Sequence, residues 1–160
     1  MRVVYETLSA SVLVARLIKS KTEYNIKNIN NDEANVDIIP GSLVFLNVEH
    51  FIQVGMYDEN VFLFCEEKIL AWKYAKHGIK TKLITKEKYI HKHSVTIDKS
   101  IKSHYEKTKI WLHSKKYFIK TYMLDNRRVT RMIDLFFWYA LVEAYCVGFV
   151  KMFYVRFRKR

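Results

Sequence analysis

Four patterns of apolar and polar positions follow one another along this chain. Val4, Leu8, Val12 and Ala15 recur at helical spacing, which predicts a helix over 4–19. Residues 20–37 are polar, with Asn25, Asn28, Asn30, Asn31 and Asp32 among them, and read as a surface loop. Residues 38–97 alternate short apolar runs with helical stretches, and residues 98–160 are basic, aromatic and mostly helical in pattern. No internal repeat is present.

The third stretch carries the clearest element signals. The run "IIPGSLVFL", with Ile38, Ile39, Leu43, Val44, Phe45 and Leu46, predicts a short strand. Asn47 can cap a short helix that has Glu49 in its first turn, where a carboxylate complements the helix dipole. Gly55 ends that helix as a left-handed cap, and Asp58 fixes the turn beyond it through its side chain. The apolar run "VFLFC" follows, then a helix from about Glu66 to His77 closed by Gly78, and a short strand in "KTKLIT". Strand, helix, apolar run, helix and strand in this order predict an α/β arrangement.

Composition narrows the class. The chain has 160 residues, which suits one domain; half of them are hydrophobic and 15% aromatic, ample for a packed core and too much for a disordered chain. One Pro and four Gly argue against a turn-rich all-β fold. The formal net charge of +12 attracts polyanions such as anionic lipid, nucleic acid or phosphorylated ligands. Cys65 and Cys146 each lie among apolar residues and read as buried thiols of a reducing compartment, with no zinc-like spacing. The first twenty residues carry Glu6, Arg16 and Lys19 and do not read as a secretory signal, so a cytoplasmic location is expected.

Three segments between Val36 and Ser94 carry candidate chemistry: "VDIIPGSLVFLNVEHFIQVGMYDE", "FLFCEEKILAWKYAKHG" and "KYIHKHS". Their order and spacing resemble the C-terminal, acceptor-side part of family 2 glycosyltransferases, notably the rhamnosyltransferase-like enzymes of bacterial surface-polysaccharide synthesis. In that family an aspartate and a Gly-Ser or Gly-Ala pair precede a strand, a short helix and a "VGxFDE"-like turn. An acidic pair then starts a helix closed by glycine, and a histidine cluster follows the next strand. The resemblance implies an incomplete GT-A, Rossmann-like half with short strands over residues 1–97. A helical, basic, membrane-associating tail over 98–160 completes the expected organisation.

It also implies roles. A sugar hydroxyl is a poor nucleophile, so a carboxylate must take its proton as it attacks the anomeric carbon. The acidic pair here is Glu66-Glu67, and Glu67 stands where the family usually has Asp. The longer side chain has to be set back or tilted, and Glu67 is assigned as base, with Glu66 holding an acceptor hydroxyl or capping the helix. Read alone, the pair only complements a helix dipole. His91 and His93 fall on one face of an extended segment and by resemblance help hold a metal or the diphosphate; alone, they are a surface pair beside Lys92. Gly41 and Ser42 border the acceptor pocket in the family, or simply form the turn after Pro40. Trp72 and Tyr74 read as core, and Lys73 as a solvated helix position where relatives carry arginine.

The family binds its nucleotide sugar on an N-terminal half that ends in a metal-binding Asp-x-Asp, and no Asp-x-Asp occurs in this sequence. The expectation is a fragment inactive by itself: either a truncated or split gene product, or a chain whose partner N-terminal half is encoded separately. A divalent ion, Mg or Mn, would enter only with that half, alongside a nucleotide-sugar donor and a saccharide acceptor that is lipid-linked.

The last stretch bears on location. "MIDLFFWYALVEAYCVGFV", from Met132 to Val150, approaches the roughly 20 residues a bilayer span requires. Asp134 and Glu143 oppose a span, and both flanks are basic, so peripheral binding to an anionic membrane at the cytoplasmic face is expected. Asp134 and Glu143 fall on opposite sides of an ideal helix and leave no clean polar face; packing on the rest of the protein is the alternative. A non-enzymatic basic module for membrane or nucleic acid explains the charge but not the ordered segments, and nucleic acid is not the expected partner.

Overall fold

The computed structural model describes residues 7–11, 14, 32–91, 101, 103–124 and 127–158. The chain forms two compact units, one of Lys21–Ser94 and one of Met1–Ser20 with Val95–Arg160. The fold class is mixed: helices accompany a small antiparallel sheet.

In the first unit β1 (Glu33–Val36) pairs antiparallel with β2 (Thr81–Ile84), with Glu33 opposite Ile84 and Val36 opposite Thr81. The Asp32 carbonyl accepts from the Thr85 amide at 2.9 Å, and Lys82 Nζ lies 2.7 Å from Glu33 Oε1 across the pair. β1 falls where the sequence predicted loop. Its residues have little strand propensity of their own; the ladder to β2 makes them a strand. Conversely, the run Ile38–Leu46 has strand propensity but is irregular, because among the described residues no strand pairs with it.

α1 (Val48–Gln53) starts as expected: Asn47 Oδ1 accepts from the His50 amide at 3.0 Å, and Glu49 sits in the first turn. Gly55 follows at φ 77°, a left-handed position that glycine occupies without strain. Asp58 Oδ1 accepts from the Asn60 amide at 2.9 Å, which fixes the next turn. Residues 61–65 are irregular rather than extended, and Phe64 and Cys65 both stand at φ 66°. Such backbone costs about 1–3 kcal/mol per non-glycine residue and persists only when its surroundings hold it. Here Val61, Cys65, Ile69 and Leu70 are all buried. α2 (Glu66–Lys76) begins at once after this turn and is closed by Gly78 at φ 69°. Lys73 is not a free solvated cation. Its Nζ donates to the Gly55 and Met56 carbonyls at 3.2 and 2.9 Å and ties α2 to the end of α1.

The second unit is helical, as its pattern predicts. α3 (His104–Phe118) is capped by Ser103 Oγ, which accepts from the Glu106 amide at 3.4 Å. It continues through a π-helical turn (Ile119–Met123) and is followed by α4 (Arg127–Arg158). Ala10, Leu112, Ile119, Ile133, Phe137 and Ala140 form the core, with Trp111 and Phe136 packed against it. Lys115 is buried, with Nζ 4.8 Å from the Trp111 ring centre and 2.7 Å from Ser9 Oγ. The helix expected over 4–19 lies mostly outside the described residues; Thr7, Leu8 and Val14 are helical, but Ser9 and Ala10 form a turn and Ser11 a bend, so the expected helix is not continuous. Cys65 is buried, but Cys146 is exposed on α4, contrary to the expected pair of buried thiols.

Candidate functional site

α2 buries one face through Ile69 and Leu70 and turns a second row of side chains into a cavity of about 560 Å³. That row is Glu67, Leu70, Ala71 and Tyr74, spaced i, i+3, i+4 and i+7, so one helix face supplies both a carboxylate and a phenol. The irregular run Ile38–Leu46 and strand β2 contribute further lining, together with Tyr57, Lys88 and Tyr89. The volume falls within the roughly 300–1,000 Å³ of small-ligand pockets.

Glu67 is held from across the unit. The Gly41 amide donates to its Oε1 at 2.9 Å. A Cβ at Gly41 would lie 2.6 Å from that oxygen, so only glycine admits this approach without displacing the carboxylate. An ionised carboxylate has about four acceptor positions, and one amide leaves Glu67 able to accept a ligand hydroxyl.

Glu66 points elsewhere. It does not line the cavity, and its Oε2 is buried with no hydrogen-bond partner among the described residues. Burial raises its carboxyl above the ordinary value; its own backbone amide opposes this and the Glu67 charge adds to it. The structure therefore brings Glu67 and Gly41 together and leaves Glu66 out of the lining.

The remaining assigned residues divide. Ser42 is outside the lining but shares a hydrogen bond between its Oγ and Tyr89 Oη, and Tyr89 does line it. His91 is exposed, with its ring centre 6.4 Å from that of Tyr89, and is not in the lining. His93 lies outside the described residues. Among the described residues no three His, Cys, Asp or Glu side chains converge on a point that a metal ion could fill.

Two phenols complete the polar equipment. Burial raises the Tyr57 hydroxyl above its ordinary value, and the charges of Glu67 and then Glu66 raise it further. Burial also raises Tyr74, with a contribution from Tyr57, and the Tyr74 oxygen is buried without a hydrogen-bond partner among the described residues. The Tyr57 phenol can donate to a ligand while the Glu67 carboxylate accepts; the Tyr74 oxygen is buried behind the lining. The sequence reading kept Tyr74 as core and gave Tyr57 no role. The signal that finds Tyr74 is its seven-residue spacing from Glu67 on a helix. Trp72 is half-buried, with Lys76 Nζ 5.3 Å from its ring centre.

No family model, curated protein or solved structure matches this chain.

Proposed function

We propose that the unit containing residues 33–91 is the acceptor-side part of a family 2 glycosyltransferase, an incomplete GT-A half, and that Glu67 is its general base. The observation that carries this is Glu67 itself: its carboxylate stands at the start of a helix, lines a cavity of ligand size and accepts from a backbone amide that only glycine could bring so near.

In this reading an acceptor hydroxyl gives its proton to Glu67 as its oxygen forms a bond to the anomeric carbon. The bond from that carbon to the nucleoside diphosphate breaks, with inversion. Tyr57 donates a hydrogen bond to the acceptor saccharide, and Tyr74 contributes its ring to the cavity wall. Gly41 positions the base, and Ser42 acts on the cavity through Tyr89. The donor nucleotide, with any Mg or Mn, belongs to a separate N-terminal half. Exposed Phe45, Val48, Ile52 and Phe62 in this unit favour a covering partner of that kind. We assign the activity to surface-polysaccharide synthesis at the cytoplasmic face of a membrane, held there peripherally with a lipid-linked acceptor.

The test is sugar transfer by this chain reconstituted with the donor-binding half, compared with Glu67→Gln. A positioned base contributes about 10²–10⁴-fold, and a loss of that size is expected. Transfer by Glu67→Gln at a near-normal rate overturns the assignment, as does transfer by this chain alone.

A further inference from the structure

We propose that α4 lies flat on an anionic lipid surface through one defined stripe: Met132, Leu135, Trp138, Val142, Tyr145 and Phe149. Successive spacings of three and four residues put these six on one side of a helix of about 3.6 residues per turn. All six are exposed, from 41% at Val142 to 72% at Met132. The opposite side carries Ile133, Phe137, Ala140 and Ala144, all buried.

From the sequence, Asp134 and Glu143 leave α4 without a clean apolar face. The structure removes that objection. Asp134 sits between Lys116 and Lys120, whose Nζ atoms lie 2.5 and 2.8 Å from its oxygens, so its charge is already answered from within the unit. Glu143 is only 7% exposed. Neither acid belongs to the stripe, whereas the exposed cation Arg131 falls on its side of the helix.

Charge selects the occupant. Arg127, Arg128 and Arg131 precede the stripe, and Lys151, Arg156, Arg158, Lys159 and Arg160 follow it. An anionic bilayer complements cations at both ends of an apolar, aromatic stripe. A second copy would bring the same cations against them. Thr130–Val150 is long and apolar enough to cross a membrane by length and composition. A crossing would also need the buried side of α4 to give up its packing against Leu112 and Ile119. Lying in the interface keeps that packing and buries only what is now exposed. This assignment deepens the membrane part of the proposed function and is independent of the chemistry of Glu67.

The experiment is co-sedimentation of the full chain with vesicles, of pure phosphatidylcholine or of phosphatidylcholine mixed with phosphatidylglycerol. Three proteins are compared: wild type, Leu135→Glu/Val142→Glu, and Phe62→Glu, an exposed apolar position outside α4 in the sequence. Circular dichroism and light scattering report fold and mass. Wild type and Phe62→Glu are expected to sediment with the anionic vesicles and far less with neutral ones. The double variant should keep its helicity and lose anionic-vesicle binding at least tenfold. Failure of wild type to bind anionic vesicles overturns both the membrane assignment and the stripe. Binding that survives Leu135→Glu/Val142→Glu overturns the stripe alone. A wild-type dimer that the double variant dissolves overturns lipid as the occupant and makes the stripe a contact between copies.

Discussion

The Gly41 amide and the Glu67 carboxylate meet at 2.9 Å although 26 residues separate them in the chain. Gly41→Ala sets a Cβ 2.6 Å from Oε1 and 3.2 Å from Cγ of Glu67. The obstructed atoms belong to the outer part of a half-buried, flexible side chain, so the carboxylate swings away instead of the backbone yielding. The bond lost contributes about 0.5–1.5 kcal/mol. We expect chemical denaturation of Gly41→Ala to change by no more than about that amount. Sugar transfer by the reconstituted enzyme should fall at least tenfold, short of the loss from Glu67→Gln. A large stability loss, or full transfer, would show that the Gly41 contact does not position the base.

How much of this was legible depended on whether local or distant partners make each element. Asn47, Gly55, Asp58 and Gly78 act within a few residues, and each does what its residue type implies. β1 was illegible because its partner β2 begins 45 positions beyond its end and nothing in Glu33–Val36 announces a strand. The apolar run Ile38–Leu46 misled for the opposite reason: it has strand composition, yet among the described residues no strand pairs with it, and it borders the cavity as irregular chain. The start of α3 at Ser103, whose Oγ accepts from the Glu106 amide, was not singled out in the sequence, where 98–160 read only as mostly helical. At the site, the carboxylate was visible at the head of α2. Which acid of the pair faces the cavity was not, because that follows from the left-handed turn at Phe64 and Cys65.

Glu66→Gln should stabilise the protein at neutral pH. Burial holds the folded carboxyl above its ordinary value of 4.5, so the folded state binds the proton more tightly than the unfolded chain. Above the raised folded value the ionised group therefore weakens the fold. As pH falls through that value the penalty fades, and below the ordinary value it is gone. Glutamine keeps the shape without the charge. The melting temperature of Glu66→Gln should exceed that of wild type at pH 7, and the gap should close toward pH 4. A variant less stable than wild type at pH 7 would mean that the helix-dipole interaction outweighs burial.

Ile119 and Leu135 should separate core from surface in the helical unit. Ile119 is fully buried where α3 passes into the π-helical turn, against Leu112, Ile133 and Phe137. Ile119→Ala leaves a cavity there, and such truncations cost about 2–5 kcal/mol. Leu135 is 70% exposed, and Leu135→Ala should stay within about 0.5 kcal/mol of wild type. Urea denaturation followed by circular dichroism reads both. Comparable losses would mean that α4 buries the side assigned here to lipid.

Asp134→Asn tests the ion-pair cluster that answers the acid next to the exposed apolar side of α4. Hydrogen bonds from Lys116 and Lys120 hold the Asp134 carboxyl below its ordinary value of 3.8, with their charges adding to the effect and partial burial opposing it. The folded state thus binds this proton less tightly than the unfolded chain. The stabilisation is complete above the ordinary value and is lost as pH falls through the lower folded one. Because Asp134 and both lysines are about a third exposed, water screens the pairs, and about 0.2–1 kcal/mol is the scale to expect. Asp134→Asn also leaves Lys116 and Lys120 four residues apart on continuous helix with no acid between them, and like charges at that spacing repel. The variant should be less stable than wild type at pH 7 by an amount that added salt reduces. The difference should shrink in acid once wild type has taken up its own proton at Asp134. A difference independent of both pH and salt would assign Asp134 a packing role instead of an electrostatic one.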